Sequence, residues 1–389
     1  MLLPDIRIPT LLLSESVCRR NIAHMRDRAR AHGLHFRPHF KTHQSRRIGS
    51  WFRDEGVTSI TVSSVGMARY FADDDWEDIT IAFPVNLREV EDIDSLAAQV
   101  ALGVLLESVP VAQRLDAALK NPVDVWIKID TGYGRSGIAH DDIDALRRLA
   151  ETVGASRHLR PRGILTHGGD TYRAAGPAEV LQRFSLSRDR MIMAADSLRD
   201  QYPEIRISVG DTPGCTLADD FSGIDEIRPG NFVFYDVMQL QRGVCRAEDI
   251  AVALACPVVS LHERRSEVVL YGGAVHLSRE HVADARGTQL FGLVAQLASG
   301  GWGAPLSGAF VTRMSQEHGI VHLPDSRTTA IIEGDLLAIL PVHSCLTAEC
   351  MKGYRLLDGS SADHFAGVSK LAPAPSAPAQ TDRQETHTP

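Results

Sequence analysis

The sequence is poor in the features that would settle its class at once. No uninterrupted apolar run approaches the ~18 residues of a membrane helix, so no transmembrane segment is expected. The start, "MLLPDIRIPT", lacks a basic stretch followed by an apolar one, so no signal peptide is expected and the chain reads as cytoplasmic. Basic residues are not in excess. The 41 Lys and Arg against 49 Asp and Glu give a net charge of -8, which leaves no basic stripe for a nucleic-acid backbone. Six cysteines, Cys18, Cys215, Cys245, Cys256, Cys345 and Cys350, form no CxxC pair and no disulfide scaffold in a chain of 389 residues. Most read as small buried residues. Cys345 alone has a patterned neighbour.

What is present is length and rhythm. Through residue 243, short apolar runs ("TLLLSE", "LHFRPHF", "SITVSS", "DITIAF", "VALGVLLES", "VDVWIKID", "RGILTHGG", "IRISVGD") are spaced by amphipathic stretches such as "SVCRRNIAHMRDRARAHG" and "PAEVLQRFSLSRDRMIMAADSLRDQ". That spacing implies βα units and a parallel sheet, and about eight strands favour a closed (β/α)8 TIM-type barrel. The α/β barrel is assigned to residues 11–243. From 244 the texture turns to hairpin-spaced strands, assigned with residues 1–10 to a second, mainly β domain ending near 370. Residues 371–389, rich in Pro, Ala and polar side chains, read as a disordered tail.

The segments with unusual composition follow the strands, where a barrel enzyme carries its chemistry. "RPHFKTHQS" holds Lys41 between His39 and His43. A lysine partly desolvated among cationic groups has a depressed pKa and suits a Schiff base with an aldehyde cofactor; a solvated lysine in a basic loop is the plain alternative. "SVGDTPG" and "RPGN" supply glycine turns, a Thr hydroxyl and a helix start that together make an anion cradle. With Lys41 they suit pyridoxal 5'-phosphate, whose aldehyde and phosphate lie at opposite ends. Arg135 in "DTGYGRSG" either binds an anionic oxygen of cofactor or substrate or caps a turn. "THGGDTY" offers His167 and Tyr172 as cavity-lining rings, with a core histidine equally open for His167.

In the second domain "PVHSC" spaces His343 and Cys345 at i, i+2, which in an extended segment puts both on one face. One imidazole and one thiolate favour Zn²⁺ and leave positions open for water or substrate. "SQEHG" adds Gln316, Glu317 and His318 as polar neighbours or an acid/base.

"RPHFKTH", "DTGYGRSG", "THGGDTY", "SVGDTP", "EIRPGNFVFYD", "QEHG" and "PVHSC" occur in the order seen in the D-serine dehydratase / D-threonine aldolase family, which the chain resembles from about residue 5 to 357. The resemblance implies an alanine-racemase-like barrel with Lys41 carrying pyridoxal phosphate and Arg135 and Tyr172 lining it. It places Gly210, Asp211, Thr212, Gly230 and Asn231 at the phosphate, with Tyr235 close by and His39 and His167 beside the ring. His343 and Cys345 would bind a divalent metal, zinc first, manganese or magnesium otherwise. The family's dehydratases carry His-x-Cys and several aldolases His-x-Asp, so Cys345 leans towards loss of water from a D-3-hydroxy amino acid. Retro-aldol cleavage, with His318 as base, is the alternative; a non-catalytic carrier of pyridoxal phosphate is the other. The family also implies a homodimer. Two departures stand out: Val342 where Asn is common, and "YGGAVHLS" in place of an Asp-Ala-Gly-type segment.

Overall fold

The computed structural model describes residues 5–284, 287–298, 300–324 and 331–367; the tail expected at 371–389 lies outside the described residues. Eight parallel strands pair in chain order: His35–Phe36, Ser59–Val62, Asp78–Pro84, Ala101–Leu106, Val123–Asp130, Leu159–Leu165, Arg206–Val209 and Glu226–Ile227. Glu226–Ile227 returns to His35–Phe36. The seam between the first two strands closes through a bridge at His39–Thr61, where Phe40 N–H donates to Thr61 O (2.8 Å) and Thr61 N–H to Pro38 O (2.9 Å). The result is a nearly closed barrel.

Serines start several of its helices: Ser14, Ser45 and Ser64 accept from the backbone N–H three residues on and begin Glu15–Ala31, Arg46–Asp54 and Val65–Ala72.

Thr10–Leu13, expected as the first barrel strand, does not enter the barrel. It runs antiparallel to Val252–His262, with Thr10 opposite Ala255 and Leu13 opposite Val252, and parallel to Tyr354–Leu356. All three leucines are buried. An apolar run buried on both faces fits either kind of sheet, so its pattern could not choose. The chain passes into the barrel unit after Leu13, not at residue 11.

In the second domain Glu267–Tyr271, His318–His322, Gly301–Met314, Gly292–Ala298, Leu336–Pro341 and Val252–His262 pair in that order, and the last returns to the first. Two short helices accompany this ring, Ala274–Leu277 and Ser344–Met351. The second follows directly on Leu336–Pro341 and points its start at the barrel mouth. Among the described residues no helix is long and apolar enough to cross a membrane.

Candidate active site

The cluster around Lys41 separates into distinct jobs. The turn is pinned on both sides: His39 N–H donates to Pro229 O (2.9 Å) and Gln44 N–H to Phe40 O (2.9 Å). His43 faces the core, stacked on Phe52 and edge-on to Phe40, and burial drives its pKa down to about 3. Lys41 and His39 instead line a cavity of about 560 Å³. The Lys41 amine titrates below its ordinary value, first through burial and then through Arg135 and Arg228, with Cys345 opposing. His39 is held well below its ordinary value by burial and by Lys41.

Most other barrel residues at the cavity sit at or close to a strand's C-terminal end, including Ser63, Pro84, Leu105, Lys128, Leu165, Gly210 and Arg228. The loop after Val123–Asp130 folds back on itself: Asp130 accepts from the N–H groups of Gly132 (2.9 Å) and Gly134 (3.1 Å), and both glycines have positive φ. Arg135 leaves that loop over the Tyr133 ring, 5.5 Å from its centroid, and has no ion-pair partner among the described residues. His167 Nδ1 donates to Gly210 O at 2.6 Å, which fixes its tautomer. Gly230 must be glycine here. A Cβ would stand 2.8 Å from His39 O, so the loop after the last strand could not otherwise lie against the Lys41 turn.

The second domain closes the cavity with His343 and Cys345. The expected extended segment is not what forms. His343 is the N-cap of Ser344–Met351 and Cys345 lies in its first turn, so the thiol sits at a helix N-terminus. Thr42 Oγ1 lies 3.3 Å from Cys345 Sγ, joining residues 303 positions apart. Burial works against the thiolate, but hydrogen bonding and charge from His343 outweigh it, and the Cys345 pKa falls below its ordinary value. His343 is raised to about 9 although its burial acts the other way, because Cys345 holds the imidazolium. Asp236 stands behind both segments: its carboxylate accepts from Asn231 Nδ2 (2.7 Å) and from Ser344 N–H (3.1 Å).

Not every expected residue reaches the cavity. Thr212 spends its N–H on the Tyr172 hydroxyl (3.1 Å) and its Oγ1 on Phe232 N–H (3.2 Å). The Tyr235 hydroxyl meets Thr216 Oγ1 at 3.3 Å. Both lie behind the wall that Gly210, Asp211, Tyr172, Gly230 and Asn231 form. His318 is exposed at the start of His318–His322, opposite Tyr271 in the ladder, and lines no part of the cavity in this chain. Gln316 and Glu317 are exposed beside it.

Three charged lining residues were missed: Lys128, Arg228 and Glu280. Two had a signal. Lys128 stands two residues after Trp126 and Arg228 two after Glu226, so each shares the inward face of its strand. Burial, then Arg228 and Arg135, bring the Lys128 amine down to about 7.

The geometry describes an alanine-racemase-like barrel enzyme with a β domain over its mouth. The alanine racemase N-terminal domain family matches residues 14–237, and the serine dehydratase domain family residues 251–357. The D-threo-3-hydroxyaspartate dehydratase of Delftia sp. is 31% identical over 90% of this chain and 95% of its own. The D-serine dehydratase of Dictyostelium discoideum is 28% identical over 92% and 95%. The solved structure of the Delftia enzyme superposes with a TM-score of 0.86 at 29% identity, covering 94% of this chain and 99% of that one; a cysteine-to-alanine mutant of a D-threo-3-hydroxyaspartate dehydratase in the metal-free form superposes with a TM-score of 0.85. This chain belongs to the D-serine dehydratase-like family of alanine-racemase-fold lyases.

Proposed function

We propose that this protein is a pyridoxal-phosphate- and divalent-metal-dependent lyase that removes water from a D-3-hydroxy amino acid, giving a 2-oxo acid and ammonia. The observation that carries this is the meeting of Lys41 and the His343–Cys345 pair, from different domains, in one cavity. Four cationic side chains (Lys41, Lys128, Arg135 and Arg228) against two acidic ones (Asp211 and Glu280) line it, which fits a doubly anionic cofactor and a carboxylate substrate.

The residues present fit both groups. Gly210, Gly230 and Asn231 bring backbone N–H groups to the phosphate end, Tyr172 and His39 flank the ring, and Lys41 is the attachment point. Pyridoxal phosphate supplies an electron sink for charge developing at Cα. Lys41 is the chain's group for taking the Cα proton, because burial favours its neutral amine. Arg135, free of protein carboxylates, holds an anionic oxygen in a two-pronged grip. At the other wall the His343 Nδ1 is buried without a partner and Cys345 favours the thiolate, the state a ligand must adopt. With no cluster of three His, Cys, Asp or Glu among the described residues, two protein ligands leave room for the substrate hydroxyl. A divalent metal there supplies a Lewis acid to the departing oxygen. A cysteine-to-alanine mutant of a D-threo-3-hydroxyaspartate dehydratase, solved in a metal-free form, supports a metal in that relative. A cytoplasmic homodimer completes the reading.

The test is to load the purified protein with pyridoxal phosphate and offer D-serine, D-threonine and D-threo-3-hydroxyaspartate, with and without EDTA. The expected products are 2-oxo acid and ammonia, lost on chelation and restored by Zn²⁺. Glycine plus aldehyde as main products makes it an aldolase instead. Full turnover after thorough chelation removes the metal from the reading.

A further inference from the structure

The segment after Tyr271, one of the two departures in the sequence, has a second role to account for. Helix Ala274–Leu277 lies on Ser344–Met351, where Thr347 Oγ1 donates to Leu277 O at 3.2 Å. It ends at Ser278 with φ 70° and ψ -179°, backbone space that is nearly the preserve of glycine. A serine held there against its preference turns the chain. Two residues on, Glu280 reaches the cavity that His343 and Cys345 also line. The neighbouring Arg279 does not line the cavity.

The two walls therefore differ in sign. All four cations come from the barrel, whereas the second domain offers an imidazole, a thiol and a carboxylate. A substrate whose hydroxyl meets the His343–Cys345 pair puts its other Cβ substituent against this second wall. Among the described residues of this second wall, no cation stands to receive a second carboxylate.

Resting on the lyase reading, we propose that Glu280 is a specificity-determining residue, presented by the Ser278 turn, that rejects an anionic Cβ substituent. The enzyme then takes D-3-hydroxy amino acids with uncharged side chains, of which D-serine is the simplest, in preference to D-threo-3-hydroxyaspartate. Glu280 is exposed where it meets the cavity, so solvent weakens the repulsion between like charges without abolishing it, and discrimination by repulsion needs no extra contact with the favoured substrate.

Two readouts on the holoenzyme test this: kcat/KM for D-serine and D-threo-3-hydroxyaspartate, and calorimetric affinity for D-alanine and D-aspartate, which lack the hydroxyl. The wild type should favour D-serine and D-alanine, each by about tenfold or more. Glu280→Gln should raise kcat/KM for D-threo-3-hydroxyaspartate relative to D-serine about tenfold, and improve D-aspartate binding relative to D-alanine. Glu280→Ala repeats the measurement without the side chain, and Ser278→Gly, which relieves the turn but keeps the carboxylate, should retain the wild-type preference. A wild-type preference for the dicarboxylate, or ratios unmoved by both Glu280 variants, overturns the proposal. If neither hydroxy acid is turned over, the lyase reading fails, and the D-aspartate to D-alanine ratio still decides the role of Glu280.

Discussion

Near the N-terminal ends of the barrel strands, Arg37 donates to Glu226 at 2.8 Å and, two-pronged, to Asp78 at 2.6 and 3.0 Å. At the C-terminal ends, Lys41, Lys128 and Arg135 face the cavity without an ion pair among the described residues. Arg37, Glu226 and Lys128 are buried in the same barrel and Lys41 is half-buried, whereas Arg135 is exposed on its loop. In the first, the Arg37 charge outweighs burial and holds the Glu226 carboxyl below its ordinary value, as in a structural ion pair. In the second, burial and mutual repulsion hold the amines of Lys41 and Lys128 down. A fold has little reason to bury cations that weaken one another unless an anion arrives later. Arg228 lies between the two, donating to Ser208 Oγ at 2.6 Å, and Ser208 donates in turn to Glu226 at 2.6 Å. Its pKa falls to about 10 through burial, despite the charge of Glu226.

The contrast breaks most sharply at Lys41. Lys41→Ala should lower turnover by about 1,000-fold or more, because it removes both attachment point and base. After borohydride reduction and denaturation, the variant should keep none of the visible cofactor absorbance that the parent keeps. Its denaturation midpoint should stay level or rise, since no partner is orphaned. The paired cluster should behave in the opposite way. Arg37→Met removes the nearest cation of the buried Glu226 and leaves Arg228 at 3.9 Å and the Ser208 hydroxyl, for a loss of about 3 kcal/mol in urea unfolding. Adding Glu226→Gln should recover part of that loss, and a double variant as unstable as the sum of the singles would mean the pair is not the unit drawn here.

Arg135 is a smaller and finer probe. Arg135→Ala should cost about 10- to 100-fold in kcat/KM, the range of a charge-assisted hydrogen bond, with stability changed by less than about 0.5 kcal/mol. Arg135→Lys keeps the charge but not the fork, so it should recover little. Equal losses of activity and stability would place Arg135 with the structural residues.

Much of this site was legible because chemistry gathers just after barrel strands, and because Lys41, Arg135, His343 and Cys345 stand in segments with no structural excuse for their composition. Other parts were hidden for physical reasons. Thr10–Leu13 is buried on both faces, and burial alone does not say which sheet buries it. Cys345 sits on a helix whose first N–H, at Ser344, is taken by the distant Asp236, whereas "PVHSC" after an apolar strand reads as more strand. His318 looks like a site histidine, but the register opposite Tyr271 turns it to solvent. Lys128 was readable only by parity with Trp126, whose inward packing with Leu105 and Leu165 appears once the barrel closes.

Lys128 carries the last and smallest prediction. Its amine titrates at about 7 in the folded protein, against ~10.4 in an unfolded chain. Between those values the unfolded state binds the proton and the folded state does not, so this residue makes stability rise with pH. Below about 7 both states are protonated, and the full cost of a buried ammonium is present. Lys128→Met should therefore stabilise the cofactor-free protein most near about pH 6, by about 1–3 kcal/mol, with the gap to the parent closing towards about pH 10. Pyridoxal phosphate should also narrow the gap, because its anionic groups supply the charge that the cavity lacks. Thermal unfolding of parent and variant across that pH range, with and without cofactor, measures both effects. A gap that ignores the cofactor would mean that Lys128 belongs with Arg37 rather than with Lys41.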